Sequence, residues 1–159
     1  MAGRVSNPRD LLVLLLGELL HVERRLAGGV LRSVADAVHG DELTAVLVDH
    51  LDETREHVER IETVFRRLEV APSAHLSRPF ESAVAEADEL AGSIVDPQLE
   101  DAFRAQAALH IEHWEIASYS VLLELARRLG KEDDCRELRD SLADELRARD
   151  RLEAALRSG

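Results

Sequence analysis

Apolar residues recur on a three-to-four-residue beat along almost the whole chain, which is the period of an amphipathic helix. Leu12, Leu16, Leu19, Leu20, Leu26, Ala27, Val30 and Val34 form the first such stripe. It predicts a helix over about 8–39, opened by Asn7-Pro8 and weakened or kinked at Gly28-Gly29. Asp41 is expected to cap a second helix, about 41–70, whose stripe contains Leu43, Val46, Ile61, Val64 and Leu68. The connection between the two is short, so they should pair as an antiparallel hairpin. Pro72 and Pro79 bracket a loop before a shorter helix over about 80–93. Asp96-Pro97 then starts a helix over about 97–129, which Gly130 ends. A last stripe, Leu138, Leu142, Leu152, Ala155 and Leu156, predicts a helix over about 132–157. No stretch alternates with the period of a strand. The pattern predicts one all-α domain over 1–159: a four-helix bundle with a long crossover that carries a short extra helix.

The helix over 97–129 has two apolar faces. Ala105, Ala108, Leu109, Ile116, Tyr119, Leu123 and Ala126 form the main one; Ile111, Trp114, Ser118, Val121 and Leu125 point roughly the other way. A helix apolar on two sides is usually covered on both. The second face is expected to meet the crossover or a second copy of the chain, and a homodimer through Ile111, Trp114, Val121 and Leu125 is the leading expectation.

Polar residues that interrupt the stripes carry the chemistry. Each long helix places a glutamate mid-stripe: Glu23, Glu53, Glu112 and Glu145. Glu23 lies 17 residues before Gly40 and Glu53 13 after it; Glu112 lies 19 before Lys131 and Glu145 14 after it. At ~1.5 Å per residue the members of each hairpin differ in depth by about one turn, which long side chains can close. His50 and His57 share the arc of Glu53. Buried carboxylates need pairing or a metal, and four together need a counter-charge. Two metal ions would supply it, with iron first and manganese or zinc as alternatives, since imidazole and carboxylate suit all three. Glu23, Glu53, Glu112, Glu145 and His57 are the leading ligands. His50 is a ligand or a donor behind one, Glu115 a ligand or a rim residue, and Glu56 a weaker candidate. Tyr119 is either a core tyrosine or a donor to a ligand. The competing reading pairs some of the acids with Arg24, Arg55 or Arg149. His21, His39, His75, His110 and His113 read as surface residues.

Charge narrows the partners. With 32 acidic and 20 basic side chains the net charge is −12, which disfavours nucleic acid and anionic membranes. The run Leu11 to Leu20 contains Glu18 and is too short to span a bilayer, and no signal peptide is expected. The one cysteine, Cys135, cannot form an internal disulfide and reads as an incidental thiol of a cytoplasmic chain.

The stretches His50-Leu-Asp-Glu-Thr-Arg-Glu-His57-Val-Glu-Arg-Ile-Glu-Thr-Val-Phe65 and Glu112-His-Trp-Glu-Ile-Ala-Ser-Tyr119 resemble the YciE/YciF-type stress-protein family of the ferritin-like superfamily. Val22-Glu23-Arg-Arg-Leu26 and Leu142-Ala-Asp-Glu145-Leu are weaker matches. The resemblance implies a ferritin-like bundle, a dimer, a di-metal centre similar to that of rubrerythrin, and a link to bacterial stress responses. Glu56 and Ala148 stand where the rubrerythrin Glu-x-x-His spacing would place histidine. There is no cysteine pair of the rubredoxin type, so redox activity would need an external electron donor. The leading functional expectation is a di-iron carboxylate protein that reacts with dioxygen or peroxide. The alternative is a non-catalytic dimeric stress or interaction protein with a structural or vestigial metal site. Iron storage is weaker, since nothing suggests a hollow shell, and a hemerythrin-like site lacks its inward histidines.

Overall fold

A computed structural model describes residues 4–158. Helix α1 spans Pro8–Arg25, a wider π-type turn covers Leu26–Val30, and α2 spans Leu31–Ala37. Helices α3 (Asp41–Arg67), α4 (Arg78–Ala91), α5 (Pro97–Arg128) and α6 (Glu132–Ser158) follow. Helices α1 and α3, and α5 and α6, form two hairpins, and α3–α6 and α1–α5 packing closes a four-helix bundle. The crossover from α3 to α5 carries α4 along the outside of α5.

Local chemistry sets the boundaries. The Asn7 side chain accepts from the Asp10 backbone N–H, and Asp96 accepts from Gln98 and Leu99, each just before a proline in the first turn. The helix expected over 8–39 is interrupted where Gly29 takes φ 157°, a conformation that side chains rarely adopt. The start of α3 differs from expectation. Asp41 is the first helical residue, Gly40 precedes it without a side-chain cap, and the Asp101 carboxylate of α5 accepts from the His39 and Gly40 backbone N–H groups. This contact ties the α2–α3 corner to the second hairpin.

The bundle core is divided in two. Leu12, Leu16, Leu20, Ile61, Phe65, Tyr119, Leu122 and Leu138 belong to one apolar cluster. Leu26, Leu43, Leu47, Leu51, Phe80, Ala105 and Leu152 belong to the other. On every bundle helix the residues between these clusters form a buried polar layer that includes Glu23, His50, Thr54, His57, Glu112, Glu115, Ser141 and Glu145. Cys135, set in a polar run of sequence, is buried in the first cluster.

The crossover is pinned against α1. The His75 backbone N–H donates to the Gly17 carbonyl (2.8 Å), and Arg9 donates to the carbonyl of Leu68 (2.7 Å). A Cβ at Gly17 would collide with the His75 ring and come within 2.8 Å of the Ser73 carbonyl oxygen. Gly17→Ala should therefore cost about 1–3 kcal/mol from overpacking, more than the roughly 1 kcal/mol that alanine gains as a helix former. A lower urea midpoint checks this; an unchanged or raised midpoint contradicts it.

Candidate metal centre

Helix α3 turns His50 and His57 inward on the same face, two turns apart. Glu53 lies between them in sequence but about 60° from His50 around the helix axis. That rotation moves it to the bundle edge, where its side chain is 29% exposed and Oε2 lies 3.4 Å from His50 Nδ1. The expectation of a fourth mid-core glutamate from α3 is thus corrected: Glu53 stands behind His50, outside the buried cluster. Helix α5, buried on two sides, instead contributes both Glu112 and Glu115. Glu56 is exposed and pairs with Arg60.

The buried groups form two clusters, each with donor atoms within 4.8 Å of one another. Glu23, His57 and Glu145 make one; His50, Glu112, Glu115 and Glu145 make the other. Glu145 belongs to both. Its Oε1 is 2.9 Å from His57 Nδ1, and its Oε2 is 3.6 Å from His50 Nε2. Glu23 Oε1 is 3.4 Å from His57 Nδ1, and Glu112 Oε1 is 3.1 Å from His50 Nε2.

Each imidazole faces the layer with one nitrogen and an outer carboxylate with the other. His50 presents Nε2 inward and Nδ1 to Glu53; His57 presents Nδ1 inward and Nε2 to Asp144 Oδ2 at 3.2 Å. Such outer carboxylates fix the tautomer and make the inward nitrogen a better ligand. Asp144 is held in turn by Arg60, 2.6 Å away. Sequence reasoning missed Asp144. Its one signal was position: it precedes Glu145 on the helix and so lies about 100° from the stripe centre.

The residues fit a pair of cations. His50 Nε2 and His57 Nδ1 lie close to carboxylate oxygens but are not aimed to donate a hydrogen bond. Glu23 Oε2, Glu112 Oε2 and both oxygens of Glu115 and Glu145 likewise have no hydrogen-bond partner. Unpaired buried donors and acceptors are costly, and their convergence on two points suits metal ligation. Among the described residues no arginine bonds to Glu23, Glu112, Glu115 or Glu145: Arg24 pairs with Glu62, Arg55 with Asp52, and Arg149 with Asp150. Tyr119 donates a hydrogen bond to Glu23 Oε1. Of the histidines expected at the surface, His39, His75, His110 and His113 are exposed, whereas His21 is half-buried and meets Glu81.

Electrostatics register the crowding. Burial, then the charges of Glu145, Glu23 and Glu112, push the Glu115 carboxyl well above its ordinary range. Burial, then Glu23 and Glu112 against the opposing His57 contact, raises Glu145 to about 8. Burial disfavours a charged His57, yet Glu23, Asp144 and Glu145 outweigh it and push the imidazole up to about 12. Burial would raise Asp144, but hydrogen bonds from His57 and Arg60 hold it well below the usual carboxylate range.

Residues 7–159 match a protein family described as a domain of unknown function, DUF892. The chain belongs to this family. The YciF protein of Escherichia coli K12 is 31% identical over 140 residues, covering 86% of this chain and 82% of the relative. Among solved structures, the YcfI protein of Rhodopseudomonas palustris has a TM-score of 0.91 at 31% identity, covering 96% of this chain and 97% of that one. The E. coli stress protein YciF has a TM-score of 0.89 at 28% identity, covering 96% of each. The expected resemblance of the chain to YciF-type proteins is thus borne out, and with it the all-helical bundle. No helix among the described residues is long and apolar enough to cross a membrane.

Proposed function

We propose that this family member binds two metal ions, iron first, in the buried layer and reacts with dioxygen or peroxide as part of a bacterial stress response in the cytoplasm. The observation that carries the reading is Glu145, with one oxygen toward each imidazole. A carboxylate so placed can bridge two cations. Glu23 and His57 would complete one site; His50, Glu112 and Glu115 would complete the other. Two divalent ions balance the four glutamates, which removes the need for protons in the layer. Iron held there supplies one-electron redox changes toward an oxidant. Glu53 and Asp144 fix the imidazole tautomers, Tyr119 holds one oxygen of Glu23, and the flanking apolar clusters keep bulk water out. An external donor would return electrons.

Anaerobic Fe(II) titration should saturate at about two ions per chain, and exposure to oxygen should then give a near-ultraviolet charge-transfer band. A well-folded chain that takes up no metal ends the proposal.

The description of E. coli YciF as a stress protein is the ground for the stress role. We also propose a homodimer through the outer face of α5. Val121 is 48% exposed there, beside half-buried Trp114 and Ile111, whereas Leu125 is covered within the chain's own core.

A further inference from the structure

Beside the polar layer lies a cavity of about 450 Å³, walled by the π-type turn, α2, α4 and α5. Its buried end is formed by Leu26, Leu47, Phe80 and Glu112, with Ile111 and Trp114 half-buried beside them. Glu86 and Asp88 stand exposed at its rim. Two features keep it open. Gly29 lines it, and a Cβ built there would meet nothing within 4 Å. Where α4 faces α5 the lining residues include Ala87 and Ala107, too small to fill the gap. Glu112 is the one fully buried charged group that lines it, and its Oε2 has no hydrogen-bond partner; Arg104, half-buried and paired with Glu100, and the exposed Arg25 and His110 line it nearer the solvent. The cavity is of the size and character of a small-molecule site: mostly apolar at depth, with one fully buried polar side chain there and polar residues toward the mouth. The exposed acids Glu86 and Asp88 set the α4 side of the mouth apart from the α5 face proposed for the dimer, which shares Ile111 and Trp114 with the cavity wall.

We propose that this cavity binds a small, largely aliphatic molecule, apolar body against Leu26, Leu47 and Phe80, so that one end reaches Glu112. It thereby defines the substrate class of the metal centre, and in that respect it rests on the two-cation reading. Binding itself needs no metal, because the walls come from the chain alone.

Trp114 is the only tryptophan and lines the cavity, so it reports occupancy. Titration of the metal-free protein with 1-octanol should give a saturable change in tryptophan emission, with at least tenfold weaker response to ethanol. Ala87→Phe should fill the cavity and weaken octanol at least tenfold; Ala107→Leu tests the same wall if that variant misfolds. In Co(II)-loaded protein, octanol should shift the visible absorption bands, and Ala87→Phe should abolish that shift. The absence of a saturable response, or unchanged affinity in both filled variants, overturns the proposal. So does an octanol response that tracks loss of a dimer in sedimentation, since a second copy would then be the occupant. Octanol binding without Co(II) uptake sinks the two-cation reading and leaves the cavity's specificity intact; Co(II) uptake without octanol binding does the reverse.

Discussion

Glu145→Gln should remove metal from both positions at once. Wild-type chain is expected to hold about two ions, and the variant well under one, with affinity at each position lowered at least about 100-fold. The figure exceeds the 10- to 100-fold typical of losing a partner behind a ligand, because here the ligand itself is changed. The double effect follows from geometry: the two oxygens of one carboxylate face His57 and His50 respectively. Glu23→Gln should weaken only the position shared with His57, and Glu53→Gln, which alters only the contact behind His50, should cost less than either. Stability should move the other way. In the metal-free chain Glu145 is fully buried beside three other carboxylates and must hold a proton that the unfolded chain releases at neutral pH, and a neutral glutamine removes that cost. The metal-free variant should be more stable than metal-free wild type by about 1–3 kcal/mol. Metal analysis after dialysis and paired urea titrations read both effects. Two retained ions per chain would show that Glu145 does not bridge.

The bundle was legible because its signals are redundant. Each long helix repeats its stripe over several turns, and Asn7-Pro8, Asp96-Pro97 and Gly130 punctuate the ends. The α2–α3 corner was not legible, since its cap is Asp101, 61 residues beyond Gly40. The acidic layer was visible as polar residues in apolar stripes, but its membership was only partly so. A helical wheel assumes one inward direction per helix. On α3 the buried arc extends from His50 toward Leu51, and Glu53 falls just outside its opposite edge while His50 and His57 stay within. On α5 Glu115, about 60° from Glu112, falls on the side that Tyr119, Leu122 and Leu125 also bury, and so joins it. The structure thus brings together four carboxylates and two imidazoles with both imidazoles on α3. Ala148, where a Glu-x-x-His pattern would put histidine, is buried against this layer. Which groups lie behind the ligands depends on contacts between helices, as for Asp144 of α6 with His57 of α3, and no single-helix pattern encodes them.

Metal-free protein should lose thermal stability as the pH rises from about 4.5 to 8, and metal-loaded protein should not. The ordinary glutamate value is 4.5, and Glu145 is raised to about 8, chiefly by burial. Between these values the unfolded chain has released a proton that the folded chain keeps, so rising pH favours unfolding. His57 acts in the same sense. Its ordinary value is 6.5, and in the fold the surrounding Glu23, Asp144 and Glu145 push it up to about 12 against the cost of burial. Its contribution is full below 6.5 and declines as pH climbs through the range to about 12. Asp144 runs oppositely: held below the ordinary 3.8, it stabilises above that value and gives way only in stronger acid. The contribution of Glu145 and His57 to metal-free stability is therefore greatest at the acid end of this window. Across the window the melting temperature should fall by roughly 3–10 °C. Cations must displace the same protons, so metal affinity and the stability it confers rise with pH, and the two curves of melting temperature against pH should diverge. Glu145→Gln should flatten the metal-free curve, which separates this layer from the general repulsion of an acidic chain. A metal-free curve that is level or rising from 4.5 to 8 would mean that the buried layer does not store protons in place of metal.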